Sequence, residues 1–436
     1  MFVPLVLTDF LDRAVALYGT KTAVIDGQKQ VTYSELNQRV NQLSHGLNDL
    51  QVKKGDKVAY LSPNSLEMLE GFFGVFQVGG IMTPLDTGLE SKEYAFILNH
   101  SESKVLFVDE SLYSLISPVI HEFETVETII VLGTFSHTEE YYSYNKWKEN
   151  FPATAFDRVE LEEDDIATLL YTRGTTGPPK GVLLTHRSNY LHALSAMHHL
   201  RVTDRDCLLH LLPMFHVNGW GAPFYYTANG ATQVMQKEKD PERMFENIKT
   251  YDINVIHMTP PVLGDVLAYA DANANVQKTA GQGVRVIVAG SVPPEEQIVQ
   301  VEEELGWEFI QVYGMTEMSP LVTISQVRSQ HDHFSEGKKH VTKSKIGYPM
   351  IGSDVKVTDE QGHMVPFDGV SVGEIIVRSN NAMDGYLKNP EATSEMIKNG
   401  WLHTGDMAVI DSYGYIEIVD RKKTYKDVTS NTDATR

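Results

Sequence analysis

Cysteine is almost missing from this chain: 436 residues hold one, Cys207. A lone thiol rules out an internal disulfide, and the apolar setting Cys207-Leu208-Leu209 predicts burial rather than nucleophilic work. A reducing, cytoplasmic location is therefore expected. Long apolar runs are missing too. The opening Phe2-Val3-Pro4-Leu5-Val6-Leu7 is too short for a membrane span, is broken by proline, and has neither a basic n-region nor a small-residue cleavage site. It reads as the front of a packed helix, with no transmembrane segment expected. Positive charge is scarce, with 37 Lys and Arg against 58 Asp and Glu and a net charge of −21. Such a field repels nucleic acid and anionic headgroups, so no nucleic-acid partner is expected. Repeats and low-complexity tracts are not evident. Histidines give no convincing metal site, since the nearest pairing, His331-Asp332-His333, reads as an exposed loop.

The chain does have apolar content, at 42% hydrophobic residues, and length enough for a large core in several subdomains. Ser34-Glu35-Leu36 opens a helical pattern, Lys57 to Leu61 reads as a strand, and Leu66 to Val78 reads as a helix. Strands at Val105 to Val108 and Thr128 to Leu132 continue the alternation of a parallel sheet covered by helices. A second α/β series follows, with strands near 254–258 and 284–288 and helices near 242–249 and 295–304. After Ile346 the texture changes to strands and glycine turns at 354–357, 373–377 and 414–419, predicting a small β-barrel. The expected fold is α/β: two parallel-sheet subdomains with flanking helices, residues 1–160 and 161–335, a β-barrel subdomain, 336–420, and a hinge with tail, 421–436.

One stretch carries chemistry: Tyr171-Thr172-Arg173-Gly174-Thr175-Thr176-Gly177-Pro178-Pro179-Lys180-Gly181, after the apolar run Ile166 to Leu170. Glycines let successive backbone N–H groups point at one anion, while threonine hydroxyls and a lysine add charge-assisted donors, so the loop suits a polyphosphate. A Gly/Thr-rich turn between two strands is the alternative, because Val182-Leu183-Leu184 is β-prone. A Walker-type loop does not fit: Gly181 rather than Ser or Thr follows Lys180, two prolines remove N–H donors, and a strand follows instead of a helix.

The stretch resembles the signature Tyr-Thr-Ser-Gly-Thr-Thr-Gly-x-Pro-Lys-Gly-Val of the acyl-adenylate-forming superfamily of acyl-CoA synthetases, luciferases and adenylation domains. Further segments match in order, to about Lys423. Pro213 to Trp220 resembles the segment lining the acyl pocket, with His216 in it and Trp220 where some fatty acyl-CoA synthetases carry a gating tryptophan. By itself His216 reads more readily as a satisfied core histidine. Val288-Ala289-Gly290-Ser291 looks like the turn whose backbone passes the adenine. Gln311 to Pro320 resembles the adenine and metal segment, where Tyr313 offers an aromatic face, Gly314 and Met315 line the site, Thr316 donates to phosphate and Glu317 gives Mg²⁺ a hard oxygen. In Trp401 to Asp406, the resemblance implies that Asp406 accepts both ribose hydroxyls. In Asp420 to Lys423, it implies that Arg421 reaches the ribose and Lys423 is the hinge.

The resemblance thus implies a two-step reaction using ATP and Mg²⁺, with CoA as co-substrate. A small-molecule carboxylic acid, by the tone of the match a medium- or long-chain fatty acid, becomes an acyl-adenylate and then a thioester. Phosphate contacts fall to Thr172, Gly174, Thr175, Thr176, Gly177 and Lys180; Thr172, Lys180, His216 and Glu317 are the candidate catalytic residues, and His216, Trp220 and Gly314 line the acid. No aspartate suited to an amino-acid substrate is evident near Phe215. Two departures stand out. Arg173 replaces the usual serine, and beyond Lys423 the pattern is lost where the family continues into a small C-terminal domain of roughly a hundred residues. An adenylate- and fatty-acid-binding module without full turnover, or a ligase loading an acyl carrier protein, are the alternatives. A homodimer is allowed.

Overall fold

In the computed structural model the described residues are 1–133, 142–172, 178–273, 276 and 283–422. They form two compact units, residues 1–239 with 383–388, and residues 240–382 with 389–422.

In the first unit the opening run precedes the first helix rather than forming its front. Phe2 and Val3 are exposed, Pro4 disfavours a helical Val3, and the helix begins only at Thr8, running Thr8–Tyr18. Helix Tyr33–Asp49 starts at a capping box in which Thr32 and Glu35 satisfy each other's backbone N–H. Helix Leu66–Gln77, capped by Ser65, is buried along its whole length, so its apolar residues surround it instead of forming one stripe. The main sheet of this unit runs in the order Gly385–Tyr386, Lys180–Thr185, Ile166–Thr172, Ile81–Pro84, Lys57–Leu61, Ser103–Asp109, Thr128–Leu132, Tyr142–Ser143. Its middle is parallel, which explains the near-continuous apolar strands, since both faces are covered. The hairpin of Ile166–Thr172 and Lys180–Thr185 is antiparallel and lies close to one edge. A further set of strands, Cys207–His210, Thr232–Met235 and Thr22–Asp26, is parallel and ends in the antiparallel strand Lys29–Thr32. Cys207 is buried, as its apolar neighbours predict.

In the second unit, strands Val255–Met258, Arg285–Val288 and Glu308–Gly314 are parallel, and Leu321–Ser325 and Tyr348–Pro349 continue antiparallel. Beyond them lies a five-stranded antiparallel half-barrel in which Trp401–Ile410 pairs with Gly373–Ser379, Ile397–Lys398 and Ile416–Arg421, and Ser353–Thr358 closes the order. The strand expected from Gly414 begins only at Ile416, because Asp411 Oδ1 accepts the N–H groups of Tyr413 and Tyr415 and closes a turn. The exposed-loop reading of His331 is also corrected. Its ring is 6% exposed, stacked on Phe334 at 4.7 Å and 5° and edge-on to Tyr413. Among the described residues no helix is long and apolar enough to cross a membrane.

Candidate active site

In the first unit, Thr172 ends its strand opposite Lys180, and Tyr171 lies opposite Gly181. Arg173, Gly174, Thr175, Thr176 and Gly177, the heart of the phosphate loop, lie outside the described residues, as does Lys423. The strands leading in and out are fixed by partners that the sequence did not single out. His100 Nδ1 meets the Tyr171 hydroxyl at 2.8 Å, and burial raises that phenol's pKa. Lys180 Nζ sits 5.0 Å from the centre of the Tyr386 ring, and Gly385–Tyr386 pairs with Val182 and Leu183 as an added edge strand. A cation over a ring face is attracted by the negative face of the ring, which holds the Lys180 ammonium in place.

The segment 213–221 of the same unit is anchored from beneath. Asn64 donates to the carbonyls of His210 and Leu212 and accepts the Met214 N–H at 2.8 Å. The chain then makes a left-handed turn, with φ of +48° at Val217, +53° at Asn218, +58° at Gly219, +58° at Trp220 and +76° at Gly221. Side chains resist this region, and residues held in it gather where a structure over-determines them. What holds the turn is Asn218, buried, whose amide donates to Thr168 Oγ1 at 3.1 Å and Asn189 Oδ1 at 3.3 Å. Trp220 is 3% exposed. His216 is exposed rather than packed as a core histidine. Desolvation by surrounding atoms lowers its pKa, Asp86 opposing and Lys239 adding, so its imidazole is neutral at physiological pH.

The second unit brings together another part of the predicted set. Strand Glu308–Gly314 delivers Tyr313, whose hydroxyl donates to Asp406 Oδ2 at 2.6 Å. Arg421 Nη1 pairs with Asp406 Oδ1 at 2.8 Å. Burial raises the pKa of Asp406, while Tyr313 and Arg421 pull it back. Burial, then the Asp406 charge, pushes Tyr313 well above the usual phenol value, so it stays a donor. Gly290, at φ +102°, precedes Ser291, whose carbonyl accepts from the Gln311 amide at 3.2 Å. Met315 leads into the 3-10 turn Thr316–Met318, and its N–H donates to the Pro320 carbonyl. Glu317 on that turn is 7% exposed. A single buried carboxylate suits Mg²⁺, which keeps water and phosphate oxygens for most of its shell. Among the described residues no three His, Cys, Asp or Glu side chains gather as a self-sufficient metal cage. Gln311, Glu374 and His403 are contributors that sequence reasoning missed; each acts through another residue, which leaves no motif of its own.

Comparison with known proteins identifies the family. The model of the family described as AMP-binding enzyme matches residues 11–387. A long-chain-fatty-acid–CoA ligase of Thermus thermophilus is 36% identical over 425 residues, which are 96% of this chain and 77% of that protein. A peroxisomal butyrate–CoA ligase of Arabidopsis thaliana is 34% identical, covering 97% of this chain and 76% of that one. Among solved structures, the inhibitor-bound N-terminal domain of FACL13 from Mycobacterium tuberculosis superposes with a TM-score of 0.84 at 27% identity, covering 95% of this chain and 99% of that domain. An anthranilate CoA ligase bound to anthranoyl-AMP, at 24% identity and a TM-score of 0.87 over 97% of this chain and 79% of that one, shares the fold. This chain belongs to the AMP-binding enzymes and, within them, to the AMP-forming acyl-CoA ligases, which activate an acid to its acyl-CoA through an adenylate.

Proposed function

We propose that the acid is a fatty acid, and that the residues above divide the work as follows. The carboxylate oxygen attacks the α-phosphorus of ATP, the α–β P–O bond breaks, and pyrophosphate leaves. The CoA sulfur then attacks the acyl carbon and AMP leaves with the bonding pair. A carboxylate is a poor acyl donor because oxide is a poor leaving group, and adenylation replaces oxide by a phosphate ester. Asp406 accepts the ribose hydroxyls, with Tyr313 and Arg421 holding its carboxylate in place. Gly290, Ser291, Gly314 and Met315 give the base a backbone wall, and Thr172, Lys180, Thr316 and the loop Gly174 to Gly177 hold the phosphates. Mg²⁺ at Glu317 would offset phosphate charge. The protein contributes mainly position and electrostatics.

The observation that carries the fatty-acid assignment is the left-handed turn 217–221, which buries Trp220 four residues after the exposed His216. A buried apolar side chain in the segment that resembles the acyl-pocket lining suits a carboxylate with an alkyl tail. The Thermus relative, named for long-chain fatty acids, supports the same reading. Pyrophosphate exchange over a panel of acids from acetate to palmitate, with benzoate included, tests it. Exchange rising with alkyl length is expected; exchange confined to benzoate or acetate would overturn the fatty-acid reading. Thioester formation with CoA, and not with acyl carrier protein, is the expected second half.

A further inference from the structure

The half-barrel breaks register where it carries Asp406. Glu374 lies opposite Met407 but Ile376 lies opposite His403, so Thr404, Gly405 and Asp406 together face Ile375 alone. On its other side the same strand slips again between Met407 and Ala408. A bulge re-aims a side chain by giving up ladder hydrogen bonds, and unpaired backbone groups then need other partners. Thr404 Oγ1 donates to the Ile375 carbonyl at 2.8 Å and accepts the Asp406 N–H at 3.1 Å. The Gly405 N–H goes to Glu374 Oε1 at 3.2 Å. The second oxygen of Glu374 meets His403 Nδ1 at 3.0 Å and Lys422 Nζ at 2.6 Å. Lys422 follows Arg421, the residue paired with Asp406.

We infer that Glu374 is a positioning residue for nucleotide binding: one buried carboxylate fixes both the backbone bulge that aims Asp406 and the strand end that carries Arg421. Glu374 is 8% exposed, so its contacts are made in a poorly solvated setting where a charge holds its partners firmly. Glu374 acts through Asp406 and Arg421, setting the angle at which they meet the ribose. The inference rests on the reading of Asp406 as the ribose acceptor.

Calorimetric titration of the full chain with AMP and with 2′-deoxy-AMP tests it. The wild type is expected to prefer AMP, because the 2′-hydroxyl is one of the two that Asp406 would accept. Glu374→Gln keeps the shape but gives up the charge that holds Lys422. It is expected to weaken AMP about tenfold and 2′-deoxy-AMP less, so the preference shrinks. Lys422→Met removes only the ammonium and is expected to shift the preference the same way, by about threefold in AMP affinity. A wild type that binds neither nucleotide sinks the ribose reading and this inference with it. A wild type that prefers AMP, with both folded variants keeping its affinity and preference, overturns the inference alone. Equal loss for the two nucleotides overturns it as well, because a purely structural Glu374 would weaken both alike. If Glu374→Gln does not fold, Lys422→Met decides.

Discussion

A Cβ placed on Gly314 would lie 1.9 Å from the carbonyl oxygen of Pro320 and 2.7 Å from its carbon, inside the backbone of the neighbouring strand. Read from the sequence, Gly314 belongs to a nucleotide and acyl segment; its closest physical demand is this backbone contact, where strand Glu308–Gly314 slips register against Leu321–Ser325. Gly314→Ala is expected to destabilise the chain by about 3 kcal/mol, because backbone rather than a flexible side chain must yield. Urea unfolding measures it, and a loss under about 1 kcal/mol would refute the steric reading. The motif was legible as a string of letters; its reason was not, because Pro320 meets Gly314 only through the turn between them. His331 makes the same point. Its neighbours Asp332 and His333 suggest a polar loop, but Phe334, Tyr413 and Tyr415 fold over it, and two of those three come from a distant hairpin.

Three helices of the first unit meet at one buried carboxylate. Glu70, fully buried on helix Leu66–Gln77, pairs with Lys148 Nζ at 2.5 Å, with Arg39 from helix Tyr33–Asp49, and accepts from the Tyr144 hydroxyl at 2.5 Å. Burial disfavours its charge, yet the two cations outweigh that and hold its pKa below the usual value. Glu70→Gln strands Lys148 and Arg39 without their counter-ion, and a loss of about 3–5 kcal/mol is expected. Chemical denaturation would show it, and a change within about 0.5 kcal/mol would mean that water reaches the site. Because the folded pKa is depressed, this contribution is full above the ordinary glutamate value and is lost as pH falls below it. In the sequence, Leu66 to Val78 reads simply as a helix; the partners that make Glu70 tolerable lie on elements tens of residues away in either direction.

Over the whole molecule, buried neutral histidines add to the acid sensitivity that Glu70 brings. Burial drives His192 down to about 3, and His186 and His210 to about 4. Neither ring nitrogen of His192 has a hydrogen-bond partner among the described residues, which leaves a proton nowhere to be compensated. The unfolded chain binds protons at these rings from about pH 6.5 downward while the folded chain does not, so stability falls as pH drops. Near pH 5 each of the three is expected to cost about 2 kcal/mol. Urea midpoints at about pH 7.5 and about pH 5 test the sign; an unchanged midpoint would mean the three rings are hydrated in the folded state.

By itself the sequence determined the family, the alternation of strands and helices, and the order of the segments proposed to meet ATP and acid, because these depend on local periodicity and on residues adjacent in the chain. The long-range partners came only from tertiary structure. Tyr386 under Lys180, His100 at Tyr171, Asn64 beneath the 210–214 backbone and Glu374 behind Asp406 are each far in sequence from what they hold. Sheets built from strands in non-sequential order bring such pairs together, and neither composition nor spacing along one chain records which strand will lie beside which.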